Sequence, residues 1–174
     1  MFNARSIRNK QTDLLFECTN NLEAIIAVTE TWLSADIGTE FFVDILKSHY
    51  FVRADDQFRV GLGGGVLLLI PKLYEFVVFN QTANDYFECV WADLHLPAQR
   101  SPFLRVGLYY RTPSANIRLS TDSLISHVKV FCNCAVPVVI FGDFNYPEIK
   151  WEGDGVNLPP LRVGVLQFFD GTKF

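Results

Sequence analysis

Positive charge is not in excess in this chain. Fifteen Lys and Arg stand against nineteen Asp and Glu, a formal net charge of −4. A polyanion is therefore not drawn in by a global field, and contact with nucleic acid would rest on a local patch or on bound metal. That is a weak argument against DNA, because a site built around divalent cations must itself be acidic. Long apolar runs are missing as well. The longest, Val66 to Pro71, falls far below the roughly 20 residues that a membrane-spanning helix needs. Met1 to Gln11 is polar and basic, without the apolar core of a leader peptide. We therefore expect no leader and no membrane association, and an intracellular protein, nuclear or cytoplasmic, that is not secreted.

Cysteine is sparse and unpatterned. Cys18, Cys89, Cys132 and Cys134 match neither a zinc ribbon nor a Cys-x-x-Cys redox pair, and read as packed, reduced thiols. The glycine-rich Gly61-Leu-Gly63-Gly-Gly-Val66 lacks the last small residue of a dinucleotide fingerprint. No Gly-Lys-Ser/Thr follows it, which excludes a phosphate-binding P-loop. A tight strand connection near a substrate groove is the expectation there. Histidine is scarce too. His49 precedes a strand and is expected at the surface, and His127 is expected on the solvent side of a helix. Asp93 and His95 share a strand face, where such a pair is more often satisfied or exposed than catalytic. Neither His nor Ser occurs after His127.

What the chain does have is apolar and aromatic bulk: 49% hydrophobic and 14% aromatic over 174 residues, with 16 Phe. That profile belongs to one globular domain with large inner faces. Ile7, Leu14, Leu15, Cys18 and Leu22 recur at helical spacing, with Ser6 as a candidate cap. Strands are expected at Ala24–Thr29, Tyr50–Arg53, Val66–Ile70, Tyr74–Phe79, Phe87–Leu96 and Phe103–Tyr110. The start of the Phe87 strand is apolar on both faces, so burial on both sides is expected. Leu124, Ile125, Val128, Phe131, Cys132 and Ala135 mark a helix capped by Ser120 or Thr121. A last strand, Val138–Phe141, runs into Gly142. Beyond Trp151 the pattern weakens, and Leu161, Val165, Phe168 and Phe169 outline one short helix. This order of elements implies mixed α/β layers.

Polar residues collect where these apolar runs end. Asn3 follows Met-Phe, and Glu30 follows Ile-Ile-Ala-Val-Thr. Tyr110 closes Val-Gly-Leu-Tyr. Asp143 follows Val-Val-Ile-Phe-Gly, with Asn145 two residues on. If the strands lie side by side with aligned tips, these side chains converge on one edge of a sheet. A carboxylate such as Glu30 there suits a hard, oxygen-seeking cation like Mg²⁺. Asp143 and Asn145 alternate by two, so an extended segment could turn both the same way. Each taken singly reads more readily as a turn former or a cap. Four such strand ends together are harder to dismiss.

Asn3-Ala-Arg-Ser-Ile7, Thr29-Glu-Thr-Trp-Leu33, Gly63-Gly-Gly-Val66, Tyr110-Arg-Thr-Pro113 and Gly142-Asp-Phe-Asn-Tyr-Pro147 together resemble the endonuclease/exonuclease/phosphatase superfamily. In order and wording they are closest to the apurinic-type endonuclease domain of non-LTR (LINE-type) retrotransposons. The resemblance implies an incomplete α/β fold, a four-layer α/β/β/α sandwich with mixed, mostly antiparallel sheets. The partial domain would occupy residues 1–155, with 156–174 a weakly patterned tail. It implies Mg²⁺ or Mn²⁺ as cofactor, with Glu30 as metal ligand and Asn3 helping to hold the metal or the scissile phosphate. Tyr110 would donate to the phosphate. Asp143 would position or activate the attacking water, and Asn145 would stabilise the developing charge. Arg111 and Arg5 would contact substrate phosphates.

The implied activity is Mg²⁺-dependent nicking of DNA, bound through its phosphate backbone, with a reverse transcriptase domain as partner in the full element. The family's fold also ends in a Ser-Asp-His motif that has no counterpart here. An incomplete and inactive form is therefore expected, since residues acting as a unit lose most of their effect when one is missing. A non-catalytic remnant is one alternative. A phosphatase-like protein acting on a lipid or inositol phosphate is another, disfavoured by the Asn-Ala-Arg-Ser and Thr-Glu-Thr-Trp wording.

Overall fold

A computed structural model describes residues 1–57, 63–96 and 103–146. The short helix expected around Leu161 to Phe169 and the boundary near residue 155 lie outside them. Within them, two four-stranded sheets pack face to face. The first contains β1 (Phe2–Asn3), β2 (Ile26–Thr29), β3 (His49–Ala54) and β4 (Val66–Pro71) in the order β1-β2-β4-β3. The second runs in sequence order through β5 (Glu75–Ala83), β6 (Phe87–His95), β7 (Phe103–Arg111) and β8 (Val138–Asp143). Each sheet has one parallel pair, β1 with β2 and β7 with β8, and is otherwise antiparallel. The parallel pairs are those separated by helices, α1 (Gln11–Asn20) and α2 (Ile117–Cys132), as a crossover between parallel neighbours requires.

The pleat sorts each strand into two faces. Val66, Leu68 and Ile70 of β4 meet Val90, Ala92, Leu94, Val106 and Leu108 of the other sheet in a central core. The alternate residues Leu67 and Leu69 face outward, under Leu14 and Cys18 of α1 and Phe42 of a short 3₁₀ turn. Cys89, Trp91 and Tyr109 lie on the outer face of the second sheet, against Leu124 and Phe131 of α2. The result is the expected four-layer α/β/β/α arrangement with mixed, mostly antiparallel sheets. Central strands buried on both faces explain the continuous apolar run of β4 and the early part of β6. β5 is an edge strand with a bulge between Val78 and Asn80, and it alternates exposed with half-buried residues.

Three local expectations are corrected. Helix α1 begins at Gln11, and Ser6 has φ +84° with its Oγ accepting from the Arg8 amide, so it caps nothing. Helix α2 begins one turn earlier than its apolar spacing implied, capped by Asn116, whose side chain accepts from the Leu119 amide. Ser120 is buried inside the first turn, where its Oγ accepts from Arg111 and donates to the Ile117 carbonyl. His49 is not at the surface but 0% exposed, its Nδ1 2.9 Å from Ser48 Oγ, and burial holds its imidazole below the usual histidine range.

Candidate active site

The strand registers line up two rows of residues at one end of the sandwich. Across the first sheet Asn3 is level with Thr29, Thr29 with Val66, and Val66 with Ala54. Across the second, Glu88 is level with Tyr110, and Tyr110 with Asp143. By the alternation of the strands, Asn3, Glu88, Tyr110 and Asp143 all belong to inner faces. Glu30 comes one residue after β2 ends.

These side chains meet. Asn3 Nδ2 donates to Glu30 Oε1 at 2.9 Å and to Asp143 Oδ2 at 2.8 Å. Tyr110, 3% exposed, donates its hydroxyl to Glu30 Oε1 at 3.3 Å. Asn3 Oδ1 accepts from the Arg5 amide at 3.1 Å, which turns the amide nitrogen towards the carboxylates, because an N–H can only pair with the oxygen end. One amide thus links two carboxylates that are 113 residues apart in the chain and on different sheets.

The backbone around the site is unusual. Arg5, Ser6, Glu30, Trp32 and Asn145 are the non-glycine residues with positive φ among those described. Left-handed backbone at a side-chain-bearing residue costs of order 1–3 kcal/mol and collects at functional sites. Here it is held by hydrogen bonds between segments: Ala4 N to Thr29 O, Ser6 N to Glu30 O, Ile7 N to Thr31 O, and Trp32 N to Gly64 O, all within 2.8–3.0 Å. Gly64 and Gly65 also have positive φ. At Gly65 a Cβ would lie 2.4 Å from Thr31 Oγ1, so the glycines are a close-packed support under Glu30, consistent with the expected tight connection.

Asn145 is half-buried beyond the end of β8, and its Nδ2 donates to the Arg111 carbonyl at 2.7 Å. Arg5 is exposed beside Asn3. Arg111 differs from its expected place at a substrate phosphate. Its guanidinium is turned inward, the residue is 2% exposed, and it donates to Ser120 Oγ, Asn145 O and Ala115 O while lying 4.4 Å from the centre of the Tyr146 ring. Burial between β7 and α2 commits it to protein partners.

All three histidines are described, and none is among the residues joined at this site. His49 and His95 sit at the far end, level with Pro71 and Glu75 respectively. Asp93 forms a two-bond pair with Arg105, both at 2.7 Å, rather than a dyad with His95. His127 is half-buried, not solvent-facing, and its Nδ1 lies 2.6 Å from the Tyr109 hydroxyl on the outer face of the second sheet.

Among the described residues no three His, Cys, Asp or Glu side chains are grouped as a metal cluster. The pair of carboxylates still fits Mg²⁺, which takes oxygen ligands, is commonly held by one or two carboxylates, and keeps several waters. Asn3 presents its nitrogen, not its oxygen, to the pair, so in this geometry it orients the carboxylates. Thr31 and Glu88 were passed over in the sequence. A Glu inside the apolar run of β6 is the one signal that could have raised Glu88.

No family model and no curated protein matches the chain. Among solved structures, the endonuclease domain of TRAS1, a telomere-specific non-LTR retrotransposon, superposes with a TM-score of 0.55 at 15% identity, over 82% of this chain and 56% of that one. An endonuclease/exonuclease/phosphatase family protein from Bacteroides thetaiotaomicron gives 0.52 at 11% identity, over 79% and 55%. ANGEL2, a 2',3'-cyclic phosphatase, gives 0.55 at 14% identity, over 83% and 48%. The chain spans about half the length of each of these proteins. The fold is therefore that of the endonuclease/exonuclease/phosphatase proteins, as the ordered motifs led us to expect.

Proposed function

We propose that the chain carries the cation- and water-handling part of a phosphodiesterase site, of the type that nicks DNA in non-LTR retrotransposons. The observation that carries the reading is the meeting of Asn3, Glu30, Tyr110 and Asp143 at one end of the sandwich. Glu30 would hold Mg²⁺ or Mn²⁺, and the bound cation would neutralise charge on phosphate oxygens. Tyr110 would donate its hydroxyl to a phosphate at the same point. Asp143, which accepts from Asn3, would orient a water. Asn145 would supply a donor aimed at the charge that develops in the transition state, where such donors gain strength. Arg5 lies exposed at the rim, where a DNA phosphate could reach it. The neighbours' names, a retrotransposon endonuclease and a 2',3'-cyclic phosphatase, support phosphoester chemistry in general. DNA as substrate and a reverse transcriptase domain as partner rest on the motif wording, and an intracellular setting on the polar N-terminal segment and the lack of a membrane-length apolar run.

With no histidine at the site, proton transfer lacks its usual agent, and we propose that this chain binds the cation with little turnover of its own. Titration with Mn²⁺, followed by electron paramagnetic resonance, tests the first part. Binding should be clear in the native chain and lost in Glu30→Gln. Equal binding by both would remove the basis of the reading. A supercoiled-plasmid nicking assay with Mg²⁺ tests the second, and nicking should not exceed that of Glu30→Gln. Robust nicking by the native chain would refute the argument from histidine.

A further inference from the structure

Glu88 is the second residue of β6, between Phe87 and Cys89, and is 0% exposed. Acidic side chains are almost never fully buried unless they are engaged, and burial without compensation is costly. Its Oε2 accepts from the Gly65 amide at 3.3 Å. That bond crosses from the second sheet to the strand connection of the first. Gly65 O in turn accepts from the Thr31 amide at 3.3 Å, and Gly64 O from the Trp32 amide at 3.0 Å. Thr31 and Trp32 directly follow Glu30, whose φ is +52°. A continuous path therefore runs from Glu88 through the two left-handed glycines to the backbone that aims Glu30. Glu88 is also level with Tyr110, which donates to Glu30 from the same sheet.

We propose that Glu88 is a positioning residue for Glu30: by holding the Gly65 amide it fixes the glycine turn against Thr31 and Trp32, and so the direction of the Glu30 carboxylate. The proposal rests on the reading of Glu30 as the cation ligand. It makes side-chain length, rather than charge, the property that matters at position 88. A glutamine keeps an oxygen at the same reach, whereas an aspartate keeps the charge but withdraws it by one methylene.

Glu88→Gln and Glu88→Asp in the full chain separate the two properties. The readouts are amide hydrogen exchange at Thr31, Trp32 and Gly65, and affinity for Mn²⁺ alone. Glu88→Asp should speed exchange at those three amides, leave Leu69 and Ile70 at the far end of β4 unchanged, and weaken Mn²⁺ binding by about 10-fold, the loss usual when an outer support of a metal ligand is removed. Glu88→Gln should stay close to the native chain in both measurements. Equal Mn²⁺ losses in the two variants would mean that charge is the cause, and would overturn the proposal. So would unchanged exchange at Thr31 and Trp32 in Glu88→Asp. If the native chain binds no Mn²⁺, the reading of Glu30 fails, while the exchange measurement still decides whether Glu88 holds the turn.

Discussion

Arg111 and Asn145 hold each other twice: the Arg111 guanidinium donates to the Asn145 carbonyl at 2.7 Å, and the Asn145 side-chain amide donates to the Arg111 carbonyl at 2.7 Å. The pair ties the end of β7 to the segment after β8, and Asn145 keeps its left-handed backbone within that tie. Arg111→Lys should therefore behave as a severe change, because an ammonium cannot reproduce the fork that reaches Ser120, Asn145 and Ala115 together. Losing buried charge-assisted bonds of this kind costs about 3 kcal/mol. Urea unfolding measures it, and a change within about 0.5 kcal/mol, the range of an ordinary surface substitution, would contradict the assignment.

Asn3→Asp replaces the shared donor between Glu30 and Asp143 with a third carboxylate. Without divalent cation the variant should melt below the native chain, since like charges in contact disfavour one another. Millimolar Mg²⁺ should then raise its melting temperature by more than it raises that of the native chain. A ligand at 100 times its dissociation constant adds about 2.7 kcal/mol to the bound state. A Mg²⁺ effect no larger than in Glu30→Gln would speak against a cation between these carboxylates.

Gly65→Ala combines two faults, a left-handed φ of +83° and a Cβ only 2.4 Å from Thr31 Oγ1. The backbone alone disfavours alanine by roughly 1–2 kcal/mol, and the contact adds to it. Trimming Thr31 to alanine in the same chain should recover the contact part and leave the backbone part. Thermal melts of the single and double variants give the split, and no recovery would locate the whole cost in the backbone.

Acid should loosen the protein through its buried histidines. Desolvation lowers the pKa of His127 and of His49 from 6.5. Above about pH 6.5 both are neutral folded and unfolded, so they contribute no pH dependence. Below it the unfolded chain takes up protons that the folded chain refuses, and stability falls until the folded pKa values are passed. At His127 there is a second reason. The Tyr109 hydroxyl oxygen accepts from Trp91 Nε1 at 2.9 Å and lies 2.6 Å from His127 Nδ1, and it can donate its own hydrogen to that nitrogen only while the nitrogen is unprotonated. His127→Gln keeps an acceptor without the titration, so its melting temperature should fall less steeply between pH 6.5 and 5. An unchanged slope would remove His127 from the account.

Much of the fold was legible because strand burial leaves a mark in sequence. The unbroken Val66–Ile70 and Val138–Phe141 runs announced strands, the apolar start of the Phe87 strand announced burial on both faces, and polar residues after apolar runs announced strand tips. Helix boundaries were less legible. Ser120 and Thr121 look like caps, and only the packing of α2 on the second sheet reveals that Ser120 is a buried partner of Arg111. His49 read as a surface residue for a similar reason, since exposure depends on what lies across the strand and not on the strand itself.

The sequence by itself determined the ordered set of motifs, the mixed α/β layers that the order of elements implies, and the absence of Ser and His after His127. Those are properties of the linear order, carried by residue type and alternation. Only the tertiary structure decided which strand tips meet. Register places Tyr110 level with Asp143 and Glu88, and the stacking of two sheets brings Asn3 within hydrogen-bond reach of both Glu30 and Asp143. It also turned Arg111 inward and set Glu88 beneath the glycine turn. Such facts depend on contacts between segments far apart in the chain, and no local pattern of residues encodes them.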